Sequence, residues 1–146
     1  MQQSKGFTFI EVLTVLSIIA LATIGTLALR DWAVGNSRVS EAKSQIVTIQ
    51  SGAQIWRPRT GDLTGISMAA MSSIAAIPEN WGAGTKINPW GGDMTIAVDG
   101  SDQSVYVITV TGIEQAAEGA RLARDFTEYA LSSSFSGRTL TLRFQG

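Results

Sequence analysis

The sequence predicts an α+β fold, in which a long N-terminal α-helix with a hydrophobic first half packs on a small antiparallel-sheet domain that carries one further major helix. Three observations predict this fold. Residues 7–29 form a run of 23 residues that contains one ionisable side chain. A helical stripe of apolar residues continues to residue 56. Residues 94–144 then contain two alternating segments, an amphipathic helix and a last alternating segment.

The apolar run, Phe7–Leu29, is long enough to cross a bilayer. At about 1.5 Å per residue it makes roughly 35 Å of helix, and a bilayer core is about 30 Å thick. In lipid a single span satisfies its backbone only as a helix. Lys5 precedes the run, so the positive-inside rule predicts a cytoplasmic N-terminus. A secretory signal peptide is the alternative, in which the small residues of ALATIGTLA would hold the cleavage site.

The helix is predicted to continue through residue 56. Apolar residues recur at spacings of 7, 3, 4, 3, 4 and 3, which define one helix face: Trp32, Val39, Ala42, Ile46, Ile49, Ala53 and Trp56. Pro58 ends the pattern. Gly25, Gly35 and Gly52 interrupt the helix, each at a cost of up to about 1 kcal/mol relative to Ala. Close contact with another helix is one explanation for them.

The first part of the outer domain is rich in Gly, Ser and Ala. A short helix is predicted over 66–76, with Met68, Met71 and Ile74 as its packed face. The stretch NWGAGTKINPWGGD is predicted to be an ordered loop, because Asn-Pro and Gly-Gly form turns. Trp81 and Trp90 in this loop cover the core or, if exposed, contact a neighbouring subunit.

The second part contains the sheet. Alternating residues 94–98 and 105–110 flank a Gly/Asp turn and predict an antiparallel hairpin. A helix is predicted over 113–131, and TLTLRF is predicted to be the final strand. The helix is expected to form i,i+4 ion pairs Arg121–Asp125 and Arg124–Glu128. Its polar face is expected to be solvated or to contact another subunit, and consists of Glu114, Glu118, Arg121, Asp125 and Glu128.

The composition argues against an enzyme. The chain has neither Cys nor His, which removes disulfides, thiolate chemistry and the commonest general base and metal ligand. We therefore expect no catalytic residue, no cofactor and no metal site. Asp99 and Asp102 are interpreted as turn residues, because the segment lacks the ligands of an EF-hand calcium loop. The net charge of −1 gives no basic patch, so nucleic acid is not expected as the primary ligand.

The segment KGFTFIEVL, residues 5–13, resembles the processing site of type IV pilins and type II secretion pseudopilins. This resemblance implies that a prepilin peptidase cuts after Gly6 and methylates the new N-terminus, Phe7. It divides the chain into a leader peptide (1–6), a transmembrane and filament-core helix (7–30) and a pilin globular domain (31–146). The globular domain includes the second half of the long helix (31–56).

Glu11 is the one carboxylate of the apolar run. The resemblance implies an assembly role, in which the new amino group of Phe7 in one subunit meets Glu11 of a neighbour. A low dielectric strengthens such a pair and makes an unmatched charge costly, so the pair selects the stagger between helices. The alternative is that Glu11 merely sits at the membrane interface. The resemblance also implies that the helix melts during assembly, which we expect near Gly25, within Thr23–Thr26.

The resemblance implies a structural subunit of a type IV pilus, a homo-oligomeric helical filament for adhesion, motility or conjugation. The implied partners are the peptidase, the inner-membrane pilus assembly machinery and, before assembly, the membrane. The precursor is expected in the inner membrane with a cytoplasmic N-terminus, and the product in an extracellular pilus. A minor pilin or a type II secretion pseudopilin is the alternative. A membrane-tethered enzyme or receptor domain is the third hypothesis.

The C-terminal half is most similar to type IVb pilins, because a last strand reached across a helix can insert beside earlier strands. INPWGG followed by a strand resembles conjugative thin-pilus pilins within that group. The chain departs from the group in its six-residue leader and in having no Cys pair. Glu118 stands at the first of the two Cys positions. Packing or neighbouring subunits must therefore hold the outer domain together.

Overall fold

The computed structural model describes Gly6 and residues 8–146. The chain divides into two units, one up to Gly35 and one over Asn36–Gly146. The elements are α1 (Phe9–Trp56), α2 (Met68–Ser73), a 3₁₀ helix (Glu79–Trp81), β1 (Met94–Val98), β2 (Val105–Val110), α3 (Ala116–Phe126), β3 (Ser132–Ser136) and β4 (Thr139–Gln145). This α+β arrangement confirms the predicted fold class.

The four strands form one antiparallel sheet in the order β1-β2-β4-β3. The predicted hairpin is confirmed, with Ile96 opposite Ile108. β4 pairs with β2 on its other side and places Leu142 opposite Ile108. The last strand therefore lies inside the sheet, beside an earlier strand.

One face of the sheet is buried in a single core. Alternate residues of β1, β2 and β4 supply it, as the period-2 pattern requires; they are Met94, Ile96, Tyr106, Ile108, Val110, Leu140, Leu142 and Phe144. The helical stripe of α1 enters the same core through Val39, Ala42, Ile46, Ile49 and Ala53. Trp81 and Trp90 are half-buried and pack against this core. The prediction that the stripe begins at Trp32 is wrong, because Trp32 is exposed.

α2 is shorter than the predicted helix over 66–76. Ser67 begins it, because the Ser67 hydroxyl accepts a hydrogen bond from the Ala70 amide at 3.0 Å. The helix ends at Ser73. Ile74 is consequently exposed rather than part of the packed face, and Ile77 is buried in its place.

α3 is also shorter than the predicted helix over 113–131. The amide of Ile113 donates to the carbonyl of Arg138 at 3.1 Å, so this residue joins the sheet side of the core. The carbonyl of Phe126 accepts from the amides of Tyr129 and Ala130, which closes the helix in a turn. The chain then returns as β3.

β3 is a strand that the sequence pattern did not predict. Its sequence is SSSFS, and it pairs with β4 across a turn in which Gly137 has φ of 64°. Phe135 packs so closely on α3 that a Cβ at Gly119 would lie 2.4 Å from its ring. Gly119 therefore fixes how near α3 and β3 approach.

Candidate functional site

The first part of α1 has an apolar surface that the described chain leaves exposed. Phe9, Ile10, Leu21 and Leu29 are all exposed, and they are typical of this segment. Among the described residues, α1 is the one helix whose length and composition would allow it to cross a membrane.

The hydroxyl groups in this segment are satisfied within the helix. Each donates to the carbonyl four residues earlier at 2.8 Å, in the pairs Thr14–Ile10, Ser17–Leu13, Thr23–Ile19 and Thr26–Ala22. These bonds keep the polar atoms from needing water or another chain. The outer surface of the segment is therefore apolar although four of its residues carry hydroxyls.

Glu11 closes a capping box at the start of α1. The backbone amide of Thr8 donates to Glu11 Oε2, and the amide of Glu11 donates to Thr8 Oγ1, both at 3.2 Å. The carbonyl of Thr8 accepts the first helical bond from Val12 at 3.1 Å. Such a reciprocal pair satisfies two backbone donors that a helix start otherwise leaves unpaired. The spacing of Thr8 and Glu11 is the sequence signal for this box, which the sequence interpretation missed.

Of the other residues singled out in the sequence, Gly6 is exposed and Phe7 lies outside the described residues. Gly25 lies fourteen residues beyond Glu11 within α1, where the helix is unbroken. A Cβ added at Gly6 or Gly25 would meet no heavy atom of the described chain within 4 Å. Gly52 differs, because a Cβ there would lie 2.6 Å from Ile77 Cγ2, which is a close contact within the outer domain.

A polar network joins α3 to α1 and to the Trp90 loop in the outer domain. Trp90 Nε1 donates to Glu118 Oε2 at 2.5 Å, and Arg38 Nη1 lies 3.8 Å from Glu118 Oε1. Arg121 donates to the side-chain carbonyl of Asn36, and Lys43 pairs with Asp125.

The expectation of a solvated polar face on α3 is therefore wrong for Glu118 and Asp125, which are partly buried against partners from outside the helix, whereas Arg121 is exposed as expected. The expected i,i+4 pairs Arg121–Asp125 and Arg124–Glu128 are not among the ion pairs of the described chain. The physical reason is that α1 and Trp90 supply partners from outside the helix. The charge pattern of the sequence identified the polar face of α3, but it could not identify the residues of α1 and the Trp90 loop that contact this face.

The Trp90 loop is fixed by the side chain of Asn88. Its Nδ2 donates to the carbonyls of Asp93 and Thr111, and its Oδ1 accepts from the amides of Trp90 and Gly92. A Cβ at Gly92 would lie 1.9 Å from the carbonyl oxygen of Thr111, so this position requires Gly. The hydrogen bonds of Asn88 thus fix the backbone of residues 88–93 and position the Trp90 indole to donate to Glu118.

In the turn between β1 and β2, each of two Asp carboxylates accepts hydrogen bonds from the Ser two residues later. Asp99 accepts from the hydroxyl and amide of Ser101 and from Arg143 Nε at 2.5 Å, and these bonds lower its pKa to about 2. Asp102 accepts in the same way from Ser104, which lowers its pKa. Among the described residues there is no group of three or more His, Cys, Asp or Glu side chains that could hold a metal ion.

Two further pKa shifts have local causes. Asp62 accepts from the hydroxyl and amide of Thr64, and its pKa is lowered. Burial raises the pKa of Tyr106, and a hydrogen bond with Gln50 partly offsets that rise. These groups stabilise turns and the core, and they form no cluster with Glu11.

The family described as "prokaryotic N-terminal methylation motif" matches residues 1–27. Comparison with curated proteins and with solved structures found no match. The motif indicates a protein of the type IV pilin or pseudopilin kind with a prepilin-type leader. Such a leader implies processing by a prepilin peptidase and assembly into a pilus. Proteins with this motif have structural rather than enzymatic roles.

Proposed function

We propose that the chain is the structural subunit of a type IV pilus. It enters the inner membrane with its N-terminus in the cytoplasm, is cut after Gly6, is methylated at Phe7, and polymerises into an extracellular filament. The observation that carries the proposal is the exposed apolar surface of residues 9–29 of α1, in which Glu11 is the one carboxylate. An apolar surface of this extent needs lipid or other helices to cover it. Lipid covers it before assembly, and the helices of neighbouring subunits cover it afterwards.

Glu11 selects the stagger of those helices. Cleavage creates an α-amino group on Phe7, and this amine of one subunit pairs with Glu11 of the next. Between packed helices the dielectric is low, so a matched pair attracts strongly while an unmatched carboxylate is costly. One relative position of the helices matches the charges.

The surroundings of Gly6 support recognition by another protein. A Cβ at Gly6 would meet no heavy atom of the described residues within 4 Å, so packing within the described chain does not call for Gly there. A peptidase that holds the chain against its active site does call for it, because Gly lets another backbone or catalytic group approach closely. The cut between Gly6 and Phe7 is proposed from the resemblance of residues 5–13 to pilin processing sites.

Intact-mass and N-terminal analysis tests the processing step. The chain should be produced with and without a prepilin peptidase. With the peptidase, the protein should begin at Phe7 and carry one added methyl group. Without it, the protein should retain residues 1–6. A protein that keeps residues 1–6 in cells with an active peptidase would contradict the proposal.

Three variants separate the charge of Glu11 from its capping role. Glu11→Gln keeps a side chain that can complete the capping box but removes the charge, whereas Thr8→Ala removes the box and keeps the charge. Glu11→Ala removes both. Charge matching predicts that both Glu11 variants lose sheared filaments and that Thr8→Ala keeps them. If Glu11→Gln assembles normally and Thr8→Ala does not, capping is the function and charge matching is wrong.

Gly25 is proposed as the point where α1 opens during assembly. The hydroxyls of Thr23 and Thr26 bond to carbonyls four residues earlier, a pattern that slightly destabilises and bends helices. Gly25→Ala should stabilise the helix by about 1 kcal/mol and has open space for its methyl group. We expect it to slow filament growth while leaving the single subunit folded. Normal growth of Gly25→Ala filaments would place the opening elsewhere.

The position of β4 between β2 and β3 supports the type IVb-like plan, since the last strand is inserted beside an earlier one.

Quantitative analysis of sheared filaments decides between a major subunit and a minor pilin or type II secretion pseudopilin. A major subunit should dominate the filament mass. A small, constant share relative to another pilin would favour the alternative. Mating, twitching and adhesion assays on a deletion strain then separate conjugation, motility and adhesion.

A further inference from the structure

A short exposed segment of α1 follows the apolar run and contains Trp32. The segment has five residues, all of them exposed: Arg30, Asp31, Trp32, Ala33 and Val34. Gly35 is the first buried residue of α1. Trp32 is 69% exposed, although its indole is a large and mostly apolar side chain. The described residues do not cover this indole, so whatever it contacts lies outside the described chain.

The lengths of the apolar run and of this segment match the layers of a bilayer. Residues 9–29 rise about 31 Å along the helix, and the hydrocarbon core of a bilayer is about 30 Å thick. With its head groups a bilayer is about 40–45 Å thick, which leaves about 5–8 Å for each head-group layer. The segment Arg30–Val34 rises about 7.5 Å. Because α1 is unbroken here, a run that fills the core places this segment in the head-group layer.

The polar and amphipathic side chains of the segment lie on different sides of the helix. Successive residues are about 100° apart, so Arg30 and Trp32 lie about 160° apart around α1 and Asp31 lies between them. A head-group layer surrounds a helix on every side, whereas one protein partner covers one side. Exposed side chains of this kind on several sides, at one level along the helix, therefore favour lipid head groups over a protein surface.

The chemistry of Trp32 and Arg30 suits the boundary between hydrocarbon and head groups. An indole has an apolar body and one N–H donor, and Trp is enriched at this boundary in membrane proteins. The stem of Arg30 can lie along the apolar edge while its guanidinium reaches a lipid phosphate, which it matches in charge and geometry. Arg30 forms no ion pair among the described residues, so its guanidinium is available to a phosphate.

We propose that Trp32 and Arg30 bind phospholipid head groups at the outer surface of the inner membrane and set the depth of α1 in the bilayer. The inference rests on the proposed precursor, whose apolar helix lies in lipid before assembly. Ile19 is the middle of residues 9–29, and Trp32 lies thirteen residues beyond it. Trp32 is therefore about 20 Å from the bilayer centre, within the head-group layer.

Glu11 pulls the helix towards the opposite surface. It lies eight residues before Ile19, about 12 Å from the bilayer centre and so about 3 Å inside the hydrocarbon core. A carboxylate at that depth is unfavourable, which favours a shift of the helix towards the cytoplasm. Trp32 and Arg30, held at the outer surface, oppose this shift. The depth of the precursor is thus a balance between the two ends of the apolar run.

Depth-dependent fluorescence quenching tests the position of Trp32. The full chain should be reconstituted in vesicles of phosphatidylethanolamine and phosphatidylglycerol that contain a phosphatidylcholine brominated at a known depth. The difference in emission between the unaltered chain and Trp32→Phe isolates Trp32 from the other Trp residues. Bromine near the head groups should quench this signal about twofold or more over bromine near the bilayer centre, because the two depths differ by most of a half-core of about 15 Å. Stronger quenching by deep bromine, or none at any depth, as when a second copy covers Trp32, would contradict the proposal.

A spin label within the span measures the depth of the helix. The chain has no Cys, so Ala22→Cys provides a single attachment site for a nitroxide. Its depth in the same vesicles follows from its relative accessibility to oxygen and to a polar nickel complex. Trp32→Ser should shift the label towards the cytoplasmic side by up to about 3 Å, the distance that brings Glu11 to the edge of the core.

Two matched variants separate anchoring from other effects of the substitution. Trp32→Tyr should leave the label at its original depth, because Tyr is the other residue enriched at the interface. Glu11→Gln combined with Trp32→Ser should shift the label less than Trp32→Ser alone, since the charge that pulls the helix is gone. Circular dichroism should be unchanged for all of these variants, because each position is exposed on α1.

The outcomes distinguish this inference from the proposed function. A chain that fails to insert into vesicles, with a label that is fully accessible to the nickel complex, would overturn both the membrane-inserted precursor and the anchor. A chain that inserts, but whose label keeps its depth in Trp32→Ser, would overturn the anchor alone. Quenching by shallow bromine, together with a shift in Trp32→Ser that Trp32→Tyr does not show, would support it.

Discussion

Replacing Glu118 should destabilise the outer domain by about 2–3 kcal/mol. Glu118 is 16% exposed and accepts from Trp90 Nε1 at 2.5 Å. A hydrogen bond to a charged group contributes about 1.5–3 kcal/mol, and its loss leaves the indole donor unpaired. The Arg38 pair adds about 0–1 kcal/mol, since the Arg38 side chain is 39% exposed and its charge is screened by solvent. Glu118→Ala removes both interactions. Glu118→Gln keeps an acceptor for Trp90 and should lose only about 1 kcal/mol.

The assay is urea unfolding of the full chain in mild detergent, followed by Trp fluorescence. With a slope of about 2 kcal/mol/M, Glu118→Ala should lower the midpoint by about 1–1.5 M. Glu114→Ala is the control, because Glu114 is an exposed acid just before α3. In a Trp90→Phe background the effect of Glu118→Ala should shrink, as expected for interacting residues. If Glu118→Ala and Glu114→Ala unfold at the same midpoint, the network does not stabilise the domain.

Three further predictions concern the same domain. Ala75→Gly should raise the free energy of unfolding by about 1 kcal/mol in the same urea assay, because Gly adopts the left-handed conformation without strain; an unchanged midpoint would show that Ala75 is not strained. Gly119→Ala should lower stability by about 1–3 kcal/mol through its clash with Phe135, and a second change, Phe135→Leu, should restore part of the loss; an additive double variant would exclude the clash. Ser101, with Arg143, lowers the pKa of Asp99 from 3.8 to about 2, so this stabilisation is complete above pH 3.8 and is lost as the pH falls towards 2. The midpoint of thermal unfolding should therefore fall less between pH 5 and pH 2 in Asp99→Asn than in the unaltered chain, and equal falls would contradict this explanation.

The long helix and the hairpin could be predicted because their patterns extend over many residues. The apolar stripe repeats over several turns from Val39 to Ala53, so errors at single positions do not change the period. Trp32 fits the same spacing but is exposed, because periodicity identifies a face and not what covers it. The alternation of β1 and β2 likewise fixes their buried face.

β3 could not be predicted from its residues. Ser is not a strong strand former, and SSSFS has a single apolar side chain to mark its inner face. The strand exists because β4 supplies a ladder of hydrogen bonds and Phe135 packs on Gly119. Such tertiary partners are separated in the sequence and have no local signature. The same limit explains why the partners of Glu118, Arg121 and Asp125 were missed.

The start of α1 carries a sequence signal that the interpretation of Glu11 left out. Thr8 and Glu11 have the spacing of a capping box, whereas the carboxylate was interpreted as the partner of a neighbouring amine or as an interfacial group. The two roles are physically compatible. The amide of Thr8 engages Oε2 of Glu11, and a carboxylate has about four acceptor positions.

In the proposed filament, the amine of Phe7 from a neighbour can therefore bind Glu11 while the capping box stays intact. The box contributes about 0.5–2 kcal/mol to the helix start. An unmatched charge between packed helices costs several kcal/mol, so the charge decides whether subunits assemble. The box holds the carboxylate in one orientation, which reduces the freedom that it would lose on pairing. Thr8 should consequently affect how fast subunits join, whereas Glu11 determines whether they join at all.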